Sequence, residues 1–239
     1  GVCKDSETNM SGGCKEPSGY EKNESSCFDF TDNDCDGDTD ATDDNCGGDA
    51  GQACLCDQEC KSGQCVSSPN HTLDVCAHQI FATSQRWSGN LGGLTGAKRK
   101  CNTAASNAQM GNRQWKAVLS TSQKSAKSYL SINAPVYNNK PSPERIADGA
   151  SELWDKSVDL QTQVQYDETG SDSFSENKVW SGTNADGTAN SKTCSGWTNG
   201  TGGVDGRHGK VDDNHKEHWI DDNDKKCVDR LHIYCIDGQ

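Results

Sequence analysis

Hydrophobic positions in this chain fall in short, separated groups, and most of the large ones lie after residue 76. Ile80-Phe81-Ala82-Thr83 is a brief apolar run that predicts a strand. Gly89 to Gly96 reads as a glycine-rich turn. From Leu94 onward Ala97, Cys101, Ala104, Ala105 and Ala108 keep i, i+4 spacing, which predicts an amphipathic helix ending at Gly111. Trp115 to Leu119 predicts a strand, and residues 122–131 a second short helix. Val179-Trp180-Ser181-Gly182 and Trp197 mark later strands, and Arg230 to Cys235 a final one. Between residues 184 and 226 the chain is rich in Gly, Asn, Asp and Thr. This predicts a long loop region, and loops held on a rigid scaffold are where binding usually resides. The fold class expected for this half is α+β.

Composition divides the chain in two. Residues 1–76 hold 17 Asp and Glu against 4 Lys and Arg, whereas residues 77–239 hold 19 of each. Ten of the 14 cysteines lie in the first segment and four in the second, so each can close its own bridges. The expected domains are therefore 1–76, a Cys-rich acidic module, and 77–239, with Ser67-Ser68-Pro69-Asn70 as a short connector. Cys76 is expected to tie the entry strand of the second domain back to the first. The first module has few large apolar residues, chiefly Val2, Met10, Phe28, Phe30, Leu55, Val66, Leu73 and Val75. That is too little burial to offset chain entropy, and disulfides with bound metal are the usual substitutes. Cys54, Cys56, Cys60 and Cys65 read as a small knotted unit with turns at Gly51 and Gly63. Connectivity among the ten cannot be read from spacing.

These counts narrow the function classes. Fourteen cysteines without a metal-finger pattern predict a disulfide-bonded protein of an oxidising compartment, secreted or on the cell surface. Gly1 in place of Met fits the expectation of a processed form. No stretch approaches the 18 or so apolar residues of a membrane span. A net charge of −13 argues against a nucleic-acid partner.

The sharpest motif is the twelve-residue run Asp32 to Asp43. Asp32, Asp34, Asp36, Asp38, Asp40 and Asp43 place carboxylates at positions 1, 3, 5, 7, 9 and 12, and Gly37 stands at position 6. A calcium loop needs oxygen ligands at these places, and glycine makes its sharp turn. Position 7 is expected to contribute the backbone carbonyl of Asp38. Nine acids in residues 29–49, with no Lys or Arg, repel one another strongly unless a cation sits among them. The plainer reading is an acidic solubilising run. No helical pattern flanks the loop, so it is not an EF-hand; Cys27, Cys35 and Cys46 are expected to hold its ends. The stretch Cys27 to Asp40 resembles the MopE-type Asp/Cys metal-binding motif of bacterial surface proteins. Oxygen-only ligands favour calcium over copper, so calcium is the expected cofactor.

In the second domain Cys101 on the first helix is expected to reach Cys235 on the last strand, and Cys194 to reach Cys227. Asn223-Asp224-Lys225-Lys226-Cys227, followed by Cys235, resembles the end of a C-type lectin-like domain. More specifically, several segments occurring in order over residues 78–236 resemble the leptospiral endostatin-like surface-protein family. They are Ile80 to Ser84, Gly89 to Leu94, Val179 to Gly187, Cys194 to Trp197 and Arg230 to Cys235. The resemblance implies a C-type-lectin/endostatin-like domain and binding to host or matrix proteins, although a fold by itself does not fix a function. In lectins with a calcium-sugar site an Asn-Asp pair before the cysteine supplies ligands. Asn223 and Asp224 match that pair, but Asp222 stands where Trp is usual, and no Glu-Pro-Asn or Gln-Pro-Asp triplet occurs. Asn184 and Asp186 are the nearest stand-ins, as ligands of a second metal or sugar site or as turn formers.

Other candidates carry less. His215 and His218 stand three apart near Asp212, Asp213, Asp221 and Asp222, as a transition-metal site or as ordinary surface histidines. Lys98-Arg99-Lys100 reads as the solvated face of its helix. The six tryptophans, Trp87, Trp115, Trp154, Trp180, Trp197 and Trp219, read as core rather than a stacking platform. His208 or His232 has the chemistry of a general base, but nothing positions a nucleophile beside either. The expected function is a secreted or cell-surface, non-enzymatic binding or adhesion protein whose partner is an extracellular protein or glycan. The rivals are a self-associating subunit of an extracellular filament or surface layer and calcium-dependent carbohydrate binding.

Overall fold

The computed structural model describes residues 50–238 apart from 53, 55–59, 63, 70–73 and 112. The acidic loop with Asp32, Asp34, Asp36, Asp38, Asp40 and Asp43 lies outside the described residues. Two short strands, β1 (Cys65–Val66) and β2 (Val75–Cys76), pair antiparallel. Bridges Cys54–Cys65 and Cys60–Cys76 brace them in place of a hydrophobic core. Their backbone is tied in as well: Gly51 N donates to Cys76 O at 2.7 Å and Cys76 N to Gln52 O at 2.8 Å. This segment packs on the larger unit. Ala50 and Val75 form a buried cluster with Ala134, and Arg145 Nη2 donates to Ser67 O at 2.9 Å.

The chain then enters an α+β unit. Its elements are β3 (His78–Ala82), α1 (Gly93–Asn107), β4 (Trp115–Ala117), α2 (Ala126–Tyr129), β5 (Val136–Asn138), β6 (Arg145–Ala147) and α3 (Ala150–Leu153). They continue with β7 (Lys178–Trp180), α4 (Cys194–Trp197), β8 (Asp205–Lys210), β9 (Asn223–Lys226) and β10 (His232–Asp237). Eight strands form one mixed sheet in the order β6-β5-β3-β10-β7-β8-β9, with β4 also on β10. The central strand β10 is antiparallel to β3 and β4 and parallel to β7. It is buried along its whole length.

Side chains alternate across this sheet, so it carries a core on each face. Ile80, Ala82, Val179, Tyr234 and Ile236 point into one core with Leu130, Ile146, Trp154 and Trp219. Phe81, Trp115, Ala117, Trp180, Ile233 and Cys235 point into the other. Helix α1 covers the second face with its small stripe Gly96, Ala97, Cys101, Ala104 and Ala105. Gly96 is required by the turn that leads into the helix, where a Cβ would sit 2.1 Å from Leu91 O. Cys101 is bonded to Cys235, which fixes α1 to the central strand. Cys194 is bonded to Cys227.

Several elements differ from the sequence expectation. The helix ends at Asn107 rather than Gly111, because Gln109 already turns left-handed at φ 56. The second helix is a single turn, capped by Ser125, whose side chain accepts from Ser128 N. The last strand begins at His232, two residues late. The 184–226 region is not loop throughout, since β8 and β9 lie within it. Trp197 is not on a strand but in the turn α4. Among the described residues no helix is long and apolar enough to cross a membrane.

Candidate functional site

The most unusual backbone in the described chain is α4. Cys194, Ser195, Gly196 and Trp197 have φ of 48, 56, 71 and 67, one turn of left-handed helix. For L residues that conformation brings Cβ against the following carbonyl and costs roughly 1–2 kcal/mol each. Three of the four residues carry a side chain, so the surroundings must hold the turn in place.

Three features do so. The side chain of Thr193 caps the turn, accepting from Gly196 N at 3.2 Å. The indole of Trp197 is fully buried in the second core and its Nε1 donates to Ser120 O at 2.7 Å. The bridge Cys194–Cys227 ties the turn to the end of β9. That sulfur fits because two glycines flank it. A Cβ on Gly89 would stand 2.2 Å from Cys194 Sγ, and one on Gly206 would stand 2.6 Å from it.

The turn forms one wall of an open groove of about 710 Å³. Ser195 and Gly196 line it together with Ser191, Lys192 and Thr193 and with Thr121, Ser122 and Gln123. Gly203, Val204 and Asp205 complete the lining. Side-chain hydroxyls from Thr121, Ser122, Ser191, Thr193 and Ser195 and the amide of Gln123 give the lining directional donors and acceptors beside a smaller apolar share. Its charges are one carboxylate and its cations: Asp205 receives Lys226 Nζ at 2.8 Å and Lys192 Nζ at 3.5 Å. The bond from Lys226 holds the Asp205 carboxyl below its ordinary value. The carboxylate is thus ionised and already partnered, which suits recognition better than proton transfer.

The sequence-derived residues Asn184, Asp186, Asn223 and Asp224 occupy different roles. Asn184 Nδ2 donates to Thr188 Oγ1 and Ala189 O, and its Oδ1 accepts from Asn190 Nδ2. Asp186 accepts from the backbone and hydroxyl of Thr188. Both side chains shape the 184–190 turn. Asn223 and Asp224 lie on the edge strand β9, and Asp224 Oδ1 receives Arg207 Nη1 at 3.2 Å. Arg207 also binds Asp221, whose other oxygen accepts from Ala185 N at 3.0 Å. A guanidinium therefore links the two predicted halves. Opposite charges face each other across β8 and β9, Asp205 with Lys226 and Arg207 with Asp224, a register that emerges only once these two strands are paired.

His215 and His218 are brought together, with rings stacked at 4.7 Å. Of the four aspartates near them in sequence, only Asp213 joins: its Oδ2 meets His218 Nδ1 at 3.1 Å. Asp212 binds Asn177, Asp221 binds Arg207 and Asp222 binds Lys210. His208 and His232 are buried, and loss of solvation lowers both imidazoles below the ordinary range. Their Nδ1 atoms face the backbone oxygens of Gly209 and Thr83, and that of His208 also lies 3.9 Å from Asp222 Oδ2, so each ring is packed in place. Five of the six tryptophans are buried; Trp87 is half-exposed, with Lys100 Nζ 5.1 Å from its ring centre.

Sequence reasoning missed the groove, because its wall is made of Ser, Thr and Gly in a conformation those letters do not announce. The hints were the 184–226 region, expected to carry binding and holding lining residues 191–193, 195–196 and 203–205, and the segment Cys194-Ser-Gly-Trp197. No protein-family model matches this chain, and no curated protein matches it.

Proposed function

We propose that this chain is a secreted or cell-surface, non-enzymatic binding protein. Its second unit would be C-type-lectin/endostatin-like and would use the groove at Cys194–Trp197 to engage an extracellular protein or glycan. Its first module would be stabilised by calcium bound at Asp32 to Asp43. The observation that carries this reading is the left-handed turn. Strained backbone persists where surrounding structure over-determines it, and such sites cluster where ligands are held. Here a disulfide, a buried indole and a capping threonine all fix one short polar wall. A wall that does not have to reorganise loses less entropy on binding. The lining of hydroxyls and amides matches ligands rich in hydroxyl or peptide groups.

The test is an array of extracellular-matrix proteins and glycans probed with the purified chain, with and without chelator, alongside Ser195→Arg. Ser195 is exposed on the groove wall, so the larger side chain fills the groove without entering the core. Ligands retained by the wild type should be lost by the variant while both melt at the same temperature. Equal retention by both would remove the groove from the account. Loss on chelation alone would assign recognition to the calcium module.

A further inference from the structure

We propose that His215, Glu217 and His218 form a binding site for a zinc-class divalent transition ion, separate from the groove and from the acidic loop. One ring nitrogen of each histidine and one oxygen of Glu217 lie within 4.8 Å of one another. Ligand atoms around tetrahedral zinc stand roughly 3.4 Å apart, given bond lengths near 2.1 Å. Glu217 Oε1 and His218 Nε2 are at 3.8 Å, close to that spacing. Glu217 is exposed, so its side chain is free to rotate and close the remainder.

The orientation of the donors agrees with this chemistry. Asp213 Oδ2 accepts from His218 Nδ1–H at 3.1 Å. That bond fixes the tautomer and leaves the lone pair of Nε2 directed to Glu217, the usual carboxylate-histidine-metal relay. His215 Nδ1 is shut off from solvent and has no hydrogen-bond partner among the described residues. The two imidazole rings stand 4.7 Å apart, so both histidines present their nitrogens within one small patch of the turn.

The backbone holding them is set beforehand. Leu160 N donates to Asn214 O at 2.9 Å, and Asn214 Nδ2 donates back to Leu160 O at 3.0 Å. Lys216 N donates to Asp159 Oδ1 at 3.0 Å. Immediately after the cluster, Trp219 and Ile220 are anchored in the first core. The turn is thus pinned at both ends, and little ordering remains for the ion to impose. Two imidazoles and one carboxylate match zinc rather than calcium, which takes oxygen ligands. Three protein ligands leave one position open at the surface, available to water or to a donor from another molecule. Among the described residues the other close group of potential ligands, Cys54, Cys60 and Cys76, is committed to disulfides.

The test is calorimetric titration of zinc into the full chain after chelator treatment and dialysis. Millimolar calcium is kept present so that oxygen-ligand sites are occupied. One saturable event is expected, weakened at least tenfold by His218→Gln and by Glu217→Gln. Asp213→Asn, which alters positioning only, should weaken it by about tenfold. Imidazole proton resonances of His215 and His218 should shift on zinc addition while the other histidines stay unchanged. Glu217→Gln changes an exposed side chain, so its result stands even if a histidine variant misfolds. Unchanged zinc affinity in Glu217→Gln, or no heat at millimolar zinc, would overturn the site.

Discussion

At the residue scale, the carboxylate of Asp237 is a costly group to disturb. It is almost fully buried, and it accepts from Arg113 Nη1 at 3.1 Å, from His78 Nδ1 at 3.1 Å and from Gln79 N at 3.0 Å. Arg113 in turn donates to Gln79 Oε1 at 2.7 Å and lies 4.7 Å from the Trp115 ring centre. Burial lowers the affinity of that guanidinium for its proton, and Asp237 works against the shift. Removing one member leaves a buried charge without its partner, so Arg113→Leu should destabilise the fold by about 3–5 kcal/mol. Urea unfolding measures this; a change under 1 kcal/mol would mean that water reaches Asp237.

The buried histidines set the response to acid. His208 and His232 are lowered below the ordinary imidazole value by burial. The unfolded chain therefore binds more protons than the native one as pH falls through about 6.5, and stability declines there. Their contribution is complete above the unfolded imidazole value and lost below it. Denaturation midpoints measured from pH 8 to pH 5 should fall, and His208→Gln should flatten the slope. A midpoint that rises on acidification would contradict this.

At the element scale, the turn α4 stores strain that can be released. Ser195→Gly removes the Cβ from a left-handed residue and should raise stability by roughly 0.5–1 kcal/mol. Ser195→Ala keeps the Cβ and should not. Thermal unfolding of the two variants decides the point, and a loss of stability in the glycine variant would contradict it. The same elements show what the sequence makes legible. Helix α1 is visible because Ala97, Cys101, Ala104 and Ala105 repeat at helical spacing. The central strands are visible as apolar runs, since both their faces are buried. Strand β9 is not, because Asn223-Asp-Lys-Lys226 is largely exposed and pairs through its backbone. Strand β8 hides because Gly206, His208 and Gly209 are its buried positions. Trp197 misleads for another reason: its large ring suggests a strand, while its role is to anchor a left-handed turn.

At the scale of the whole molecule, disulfides join elements that sequence places far apart. Cys101 and Cys235 are 134 residues apart, and loop-closure entropy values such a bridge at about 4–5 kcal/mol. The four cysteines beyond residue 76 pair as their positions on helix and strand suggest, whereas ten cysteines allow too many connectivities for spacing to choose among. The acidic run is the other sequence-level expectation, and its argument is electrostatic. Asp36→Asn should weaken calcium binding by about tenfold, while Asp44→Asn, outside the ligand positions, should have little effect. Calorimetry that found equal effects, or no calcium binding at millimolar concentration, would return this run to a solvated acidic segment.

The groove is the central claim, and hydrogen exchange tests it most directly. The full chain is compared free and saturated with a ligand captured from the matrix and glycan array. Slowed exchange is expected in residues 192–197 and 203–205, with the α1 face at Lys98 to Lys100 unchanged. Protection confined to that helix face, or to residues 1–76, would contradict it.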